Sequence, residues 1–203
     1  MPGNEARVSS VSGPNWAVAV MELFQTIELL VKDVNMCAAA LDLARRGTTE
    51  SEFWRRTYVR ASFALFEGAI ERLRVFAYSC RRNPEIEFSP VELEQLQGTS
   101  WRQPVIDQIE FALSAVARVT CVSWVPRVGR DVRRHFRVAK LTRDRLTHPR
   151  VLTDLAVVDS ELQSVHEFSE WMGRQVADLS QAIPHTWPRQ FDSADPKGTR
   201  AKM

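Results

Sequence analysis

The stretch that decides the fold of this chain reads Arg60-Ala61-Ser62-Phe63-Ala64-Leu65-Phe66-Glu67-Gly68-Ala69-Ile70-Glu71. It belongs to a longer segment, residues 50–82, which is apolar nearly all round when placed on a helix and which ends before Asn83-Pro84. A helix that is apolar on every side has to be surrounded by other elements. We therefore expect this segment to be the central, buried helix of a helical bundle.

Helical periodicity recurs along the rest of the chain, and the alternation typical of β-strands is nearly absent. Further main helices are predicted over residues 15–45, 104–119, 127–147 and 160–183, with a short helix over 90–97. Two capping boxes mark helix starts, Ser89-Pro90-Val91-Glu92 and Ser160-Glu161-Leu162-Gln163. The sequence thus predicts an all-α protein, an up-and-down bundle of about five main helices.

The 203 residues are most simply organised as one domain, over residues 15–183. Residues 1–14 are expected to be a flexible leader, and residues 184–203, rich in Pro, Ser, Asp and Lys, a disordered tail. No apolar run approaches the ~20 residues that span a bilayer, and the short run from Trp16 to Met21 does not make a signal peptide. We expect a cytoplasmic protein without a membrane partner.

Cysteines and histidines are too scattered to suggest a metal or a cofactor. Neither Cys-x-x-Cys nor the spacing of histidine ligands occurs among Cys37, Cys80, Cys121, His135, His148, His166 and His185. The cysteines are expected to be small buried residues in a reducing compartment. The sequence predicts no metal site and no cofactor.

Positive charge is concentrated in one segment. Residues 127–150 contain nine basic and two acidic side chains, a local charge of +7 in a chain whose net charge is +2, so the remainder carries −5. Such asymmetry indicates an anionic partner at that segment. Arginine outnumbers lysine 23 to 4, so codon bias in a GC-rich genome is an alternative explanation.

One arginine of the basic segment differs from its neighbours. On a helix over 127–147, an apolar stripe takes in Val128, Val132, Phe136, Ala139, Arg143 and Leu146. The opposite face is basic and consists of Arg130, Arg133, Arg134, Arg137 and Lys140. A guanidinium facing a packed surface needs a partner, because an unpaired buried charge costs several kcal/mol. For Arg143 that partner is Glu67, Glu71 or a bound phosphate.

The central helix carries its polar residues on one strip. At ~100° per residue, one narrow sector contains Arg56, Arg60, Glu67, Glu71, Arg74 and Tyr78. The strip is either a solvated edge with local Glu71–Arg74 pairing or a surface on which Glu67 faces a basic helix or pocket.

His148 stands at the end of the basic helix, because Pro149 disfavours helical geometry in the residue before it. Its imidazole is therefore free to lie near Arg143. An imidazole exchanges protons near neutral pH, as the transfer of a proton from a ribose 2′-hydroxyl or to a leaving 5′-oxygen requires. A guanidinium stabilises the charge that builds on phosphoryl oxygens. The pair therefore suits RNA cleavage.

The spacing by itself is weak, since it occurs twice. The first copy is Arg130-Asp131-Val132-Arg133-Arg134-His135, and the second, residues 143–148, follows thirteen residues later. In the first copy the arginine belongs to the solvated face and the histidine is mid-helix. In the second the arginine belongs to the apolar stripe and the histidine is at a helix end. This context favours the second copy.

Residues 143–150, Arg143-Asp144-Arg145-Leu146-Thr147-His148-Pro149-Arg150, resemble the signature of the HEPN superfamily: an arginine, a polar residue, three variable residues and a histidine. The central helix resembles the family's core helix, which often carries an acidic residue, here Glu67. The resemblance covers residues 15–183, and only the 143–148 motif is specific. It implies a helical bundle that forms a homodimer with two motifs at the interface. Many such proteins are metal-independent endoribonucleases of toxin–antitoxin, phage-defence or RNA-processing systems.

Motif transfer makes Arg143 and His148 catalytic, with Asp144, in place of the commoner Asn, orienting them or the substrate and Glu67 supporting them. RNA, cleaved by 2′-hydroxyl attack to a 2′,3′-cyclic phosphate, would bind Arg130, Arg133, Arg134, Arg137, Lys140, Arg145 and Arg150. An antitoxin protein is a further possible partner. The alternative is a catalytically inactive HEPN-like module that binds nucleotides or a protein. In that case Arg143 is structural, and His148 is a cation at a helix C-terminus.

Overall fold

Six α-helices and one short turn of 3₁₀ helix make up the part of the chain that the structure describes. The structure, a computed structural model, describes residues 16–81, 86–98 and 104–183. In chain order the helices are α1 (Trp16–Leu43), α2 (Thr49–Cys80), α3 (Pro90–Gln97), α4 (Val105–Val119), α5 (Arg130–Thr147) and α6 (Asp159–Ala182). The 3₁₀ turn, Leu152–Leu155, connects α5 to α6. No strand occurs in these ranges, so the all-α prediction is confirmed. The predicted leader, 1–14, and tail, 184–203, lie outside the described residues.

Helix α2 is the centre of the bundle, as its sequence predicts. It packs against α1, α3, α4, α5 and α6. Val59, Phe66 and Ala77 are fully buried along it, and Phe66 makes an edge-to-face contact with Phe168 of α6 at 4.7 Å between ring centroids. One side of α2 nevertheless stays open. We call this line of exposed residues the exposed strip of α2: Phe53, Arg60, Ala64, Glu67, Glu71 and Val75.

The helix boundaries follow from local chemistry. Thr48 begins α2 by accepting a hydrogen bond from the Ser51 amide at 3.2 Å. Ser89 and Glu92 form the predicted capping box of α3, through bonds of 3.3 and 2.7 Å between side chain and backbone. Gly98 ends α3 with φ +76, where a Cβ would lie 2.1 Å from a guanidinium nitrogen of Arg74. The positive φ is the conformation that favours glycine at the end of this helix.

Two expectations need correction. The start of α6 is at Asp159, and its N-cap is Val158, so the prediction that Ser160 caps this helix is wrong. Glu161 instead occupies the third helical position and accepts the Val158 amide at 3.0 Å. Of the three cysteines, Cys121 is exposed rather than buried. Cys80 is buried as expected, and burial raises the pKa of its thiol to about 12.

No helix in the described part of the chain is both long and apolar enough to cross a membrane.

Candidate active site

Helix α5 presents one face to the bundle and the other to solvent. Phe136, Ala139 and Leu146 of the predicted stripe are buried, and α5 packs against both α2 and α6. Arg143 belongs to this stripe at the edge next to α2, where 34% of its side chain stays exposed. The helical periodicity therefore places one guanidinium in the groove between α2 and α5.

Arg143 is held there by two carboxylates and an aromatic ring. Its Nη2 donates to Glu67 Oε1 at 2.6 Å, and its Nη1 donates to Asp144 Oδ1 at 3.2 Å. The guanidinium carbon lies 5.8 Å from the centre of the Phe63 ring. Glu67 thus faces the basic helix, while Glu71, one turn further along α2, pairs with Arg74 at 3.1 Å. Of the partners predicted for Arg143, the structure therefore shows Glu67.

Asp144 links Arg143 to a second cation. Lys140 Nζ lies 2.5 Å from Asp144 Oδ2. Burial raises the pKa of Asp144, but hydrogen bonds and charge attraction from Lys140 and Arg143 outweigh it and hold the pKa below its ordinary value. Glu67, Arg143, Asp144 and Lys140 form a continuous chain of contacts, which we call the ion cluster. With two anions and two cations, the ion cluster has no net charge.

His148 stands apart from the ion cluster. It caps the C-terminus of α5 with φ −127 and ψ 60, outside helical geometry, and its amide donates to the Asp144 carbonyl at 3.0 Å. The expected helix end before Pro149 is therefore present. The imidazole is exposed and, within the part of the chain that the structure describes, makes no side-chain hydrogen bond. It is open to solvent and to a ligand at the end of α5.

Arg145 fixes the segment that follows His148. Its Nη1 donates to the carbonyls of Thr153, Asp154 and Ala156 at 3.3, 2.8 and 2.6 Å. Its Nη2 binds both carboxylate oxygens of Glu161 at 2.7 and 2.9 Å. These bonds tie the connection after α5 to the start of α6. Because its guanidinium is used inside the fold, we leave Arg145 out of the RNA-binding surface that the sequence predicts.

Asp154 supports the same segment from the other side. Its Oδ2 accepts the amides of Arg150 and Val151 at 2.7 and 3.1 Å. These two hydrogen bonds hold the pKa of Asp154 below its ordinary value. The structural roles of Asp154 and Glu161 in this turn are not evident from helical periodicity. The only local signal is Glu161 at the third position of α6, which is typical of a capping carboxylate.

The basic face of α5 is exposed as predicted, but several of its charges are already paired. Arg133 contacts Asp107 at 2.9 Å and Glu110 at 2.5 Å, both on α4. Arg134 pairs with Asp131 at 3.3 Å, and Lys140 belongs to the ion cluster. Within the described residues, the exposed guanidinium groups of segment 127–150 that have no ion pair are those of Arg127, Arg130, Arg137 and Arg150. They are the charges most accessible to an anionic ligand.

The first copy of the motif is arranged differently. Arg130 is exposed at the start of α5, where Gly129 is the N-cap. His135 is half-buried and faces α6, with its Nδ1 3.4 Å from Ser164 Oγ. The two residues therefore point to different surfaces. In the second copy, Arg143 and His148 both reach solvent at the same end of α5.

Among the described residues, no group of three or more His, Cys, Asp or Glu side chains is placed to hold a metal ion. Comparisons of the chain with protein-family models, with curated proteins and with solved structures found no match.

Proposed function

We propose that this protein is a metal-independent endoribonuclease of HEPN type that acts as a homodimer. The observation that carries the proposal is the second copy of the motif, where Arg143 is held at an open groove by Glu67 and Asp144 and an exposed His148 ends the same helix. A fixed guanidinium and an accessible imidazole, both at the C-terminal end of α5, are the two groups that phosphoryl transfer from RNA requires. Its role in toxin–antitoxin, phage-defence or RNA-processing systems, in the cytoplasm, is what the resemblance adds.

Arg143 retains the capacity to bind a phosphate. A guanidinium has five N–H donors in a planar fork, and the contacts to Glu67 and Asp144 use two of them. The remaining donors are available to the non-bridging oxygens of the scissile phosphate. Because the two carboxylates already fix the plane of the guanidinium, little ordering is needed when the transition state forms.

The reaction follows from these groups. A neutral His148 imidazole removes the proton of the ribose 2′-hydroxyl, and the 2′-oxygen attacks the adjacent phosphorus. Arg143 stabilises the negative charge on the non-bridging oxygens as the bond to the 5′-oxygen breaks. A second, protonated imidazole gives its proton to the departing 5′-oxygen. The products are a 2′,3′-cyclic phosphate and a 5′-hydroxyl.

The need for both a base and an acid supports the homodimer. Among the described residues, each chain provides one imidazole at the C-terminus of α5, that of His148. Two copies of the chain that meet at their α5 ends provide two, so one acts as base while the other acts as acid. The exposed strip of α2, which runs beside Arg143, leaves room for such an approach.

The proposal is tested by incubating the purified protein with an end-labelled RNA in the presence of EDTA. We expect cleavage, with cyclic phosphate at the new 3′ ends and a hydroxyl at the new 5′ ends. The matched control is the same RNA with deoxyribose at the cleaved position, which lacks the attacking hydroxyl and should remain intact. Cleavage that stops with EDTA, or that continues at the deoxyribose, contradicts the mechanism. Sedimentation should give the mass of a dimer.

A second function is favoured by one observation, the completeness of the ion cluster without any ligand. Its four charges sum to zero and satisfy one another. A structural ion cluster of this kind fits an inactive module that binds nucleotides or a partner protein. Saturable RNA or nucleotide binding, without cleavage under any metal condition, would support that alternative over the ribonuclease.

A further inference from the structure

Arg60 occupies a position that the proposed active site does not yet use. It belongs to the exposed strip of α2 and lies between Arg56 and Glu67 in one narrow sector of that helix. Arg56 Nη1 contacts the Leu155 carbonyl at 3.4 Å, and Glu67 contacts Arg143 at 2.6 Å. These two contacts fix both ends of the interval that contains Arg60.

The interval lies opposite the end of α5. At 1.5 Å per residue, Arg60 is about 6 Å along the helix axis from Arg56 and about 10 Å from Glu67. The chain between the two contacted partners, Arg143 and Leu155, contains the last turn of α5 and His148. Arg60 is therefore level with the end of α5 that carries the exposed imidazole.

Arg60 differs from the other arginines of α2 because its side chain is exposed and has no ion pair among the described residues. Arg55 pairs with Asp159, and Arg74 pairs with Glu71. Arg72 lies 3.9 Å from Glu22. Arg56 is half-buried against the Leu155 carbonyl. Arg60 is exposed and has no ion pair within the described residues, so its charge is available to an anion from outside the chain.

We infer that Arg60 binds a backbone phosphate of the RNA next to the scissile phosphate. The inference rests on the proposed function and extends it from α5 to α2. Arg130 and Arg137 lie on the solvent face of α5, whereas Arg60 lies across the groove that holds Arg143. A single strand that contacts both sides crosses the groove with one phosphate at Arg143. Arg60 thus contributes to substrate binding and positioning, not to proton transfer.

The test measures RNA binding separately from cleavage. Fluorescence anisotropy is recorded for a single-stranded RNA with 2′-O-methyl riboses, which cannot be cleaved, in the His148→Ala background. We expect Arg60→Gln to weaken binding about 5-fold and to reduce the slope of log K against log salt by about 0.7, the effect of one lost phosphate contact on a single strand. Arg60→Lys should restore most of the salt slope.

The matched control is Arg174→Gln on α6, an exposed arginine paired with Glu170 at 3.5 Å, which should leave affinity and salt slope unchanged. Unchanged binding by Arg60→Gln, or equal weakening by Arg174→Gln, overturns the inference. So does a loss of dimer mass with Arg60→Gln, which would place Arg60 between two copies of the chain. Absence of RNA cleavage by the wild type overturns the ribonuclease proposal alone, because the binding measurement does not depend on catalysis.

Discussion

The two copies of the arginine–histidine motif have the same spacing on the same helix but different surroundings. In the first copy Arg130 is exposed at the start of α5, and the half-buried His135 faces Ser164 of α6. In the second copy Arg143 is held between two carboxylates, and His148 is exposed at the helix end. A regular helix turns the histidine of the first copy away from its arginine, because five residues correspond to ~500°.

The comparison shows what makes a candidate site out of a common spacing. Pro149 ends the helix at His148 and releases its imidazole from helical phase, whereas His135 is fixed mid-helix. Glu67 on a different helix fixes Arg143, whereas Arg130 has no cross-helix carboxylate among the described residues. The difference therefore arises from one helix terminator and one long-range ion pair.

The largest expected effect is on catalysis and separates the two arginines. Arg143→Ala should lower kcat for RNA cleavage by about 100-fold or more, because it removes the charge that stabilises the phosphoryl oxygens. Arg130→Ala should raise KM by a few fold and leave kcat unchanged, since it contributes only attraction for the RNA backbone. Steady-state kinetics on a labelled RNA measure both constants. Equal effects of the two substitutions on kcat would remove the distinction between the copies.

The next largest effect is on the free energy of unfolding. It compares the residues two positions after the arginine of each copy, Arg145 and Val132. Arg145→Ala should lower the free energy of unfolding by about 2–3 kcal/mol, because it leaves Glu161 and three carbonyls without their donor. The corresponding residue of the first copy is Val132, which is half-buried. Val132→Ala should cost about 1 kcal/mol. Urea unfolding checks both values, and a stability of Arg145→Ala within about 0.5 kcal/mol of wild type would contradict the anchoring role.

A smaller effect concerns Glu67, the carboxylate of α2 that pairs with the arginine of the second copy. Glu67→Gln should reduce kcat about 5-fold without raising KM, because Arg143 loses the charge-assisted bond that orients it while the field at the phosphate becomes more positive. Glu71→Gln is the matched control, one turn away on the same strip and paired with Arg74 rather than Arg143. It should leave kcat within about 2-fold of wild type. A rise in KM with unchanged kcat for Glu67→Gln would contradict a positioning role.

The smallest expected effect concerns Asp144, the aspartate of the second copy, and the decline of the free energy of unfolding at acid pH. The pKa of Asp144 is depressed on folding, so its contribution is present above its unfolded pKa and is lost as pH falls through the folded value. The side chain is 36% exposed, so solvent screening limits the contribution to less than about 1 kcal/mol. Asp144→Asn should flatten the decline of unfolding free energy below pH 4. Asp131→Asn, with an 82% exposed carboxylate, should follow the wild-type curve.

Local patterns account for much of the fold. The all-α class and the six helices follow from apolar periodicity, with boundaries within three residues of those observed, and the cap of α3 follows from Ser89 and Glu92. The central position of α2 follows from the apolar residues that occur nearly all round this helix. Prediction of the Ser160 cap was wrong because Glu161 satisfies the Val158 amide instead, and Ser164 donates to the Ser160 carbonyl at 2.9 Å. The local bond of Glu161 to the Val158 amide therefore places the N-cap at Val158, two residues before the predicted cap.

The candidate site depends more on contacts distant in sequence. The position of Arg143 in the apolar stripe predicts that it needs a partner, and the structure selects Glu67 over Glu71. The sequence alone does not distinguish Arg133 from Arg137, since both lie on the basic face of α5. In the structure Arg133 pairs with α4 and Arg137 does not. The hydrogen bonds of Arg145 to carbonyls could not be predicted either. These carbonyls belong to the connection after α5, whose sequence has no helical or strand periodicity.

The most direct test of the central claim compares the two histidines in one cleavage assay with EDTA present. His148→Ala should lower the rate of RNA cleavage by about 100-fold or more, because the proton transfers lose their imidazole. His135→Ala, which removes only a half-buried contact to Ser164, should retain a rate within about 3-fold of wild type at a temperature where both variants are folded. Cleavage by His148→Ala at the wild-type rate would contradict the assignment of the second copy as the active site.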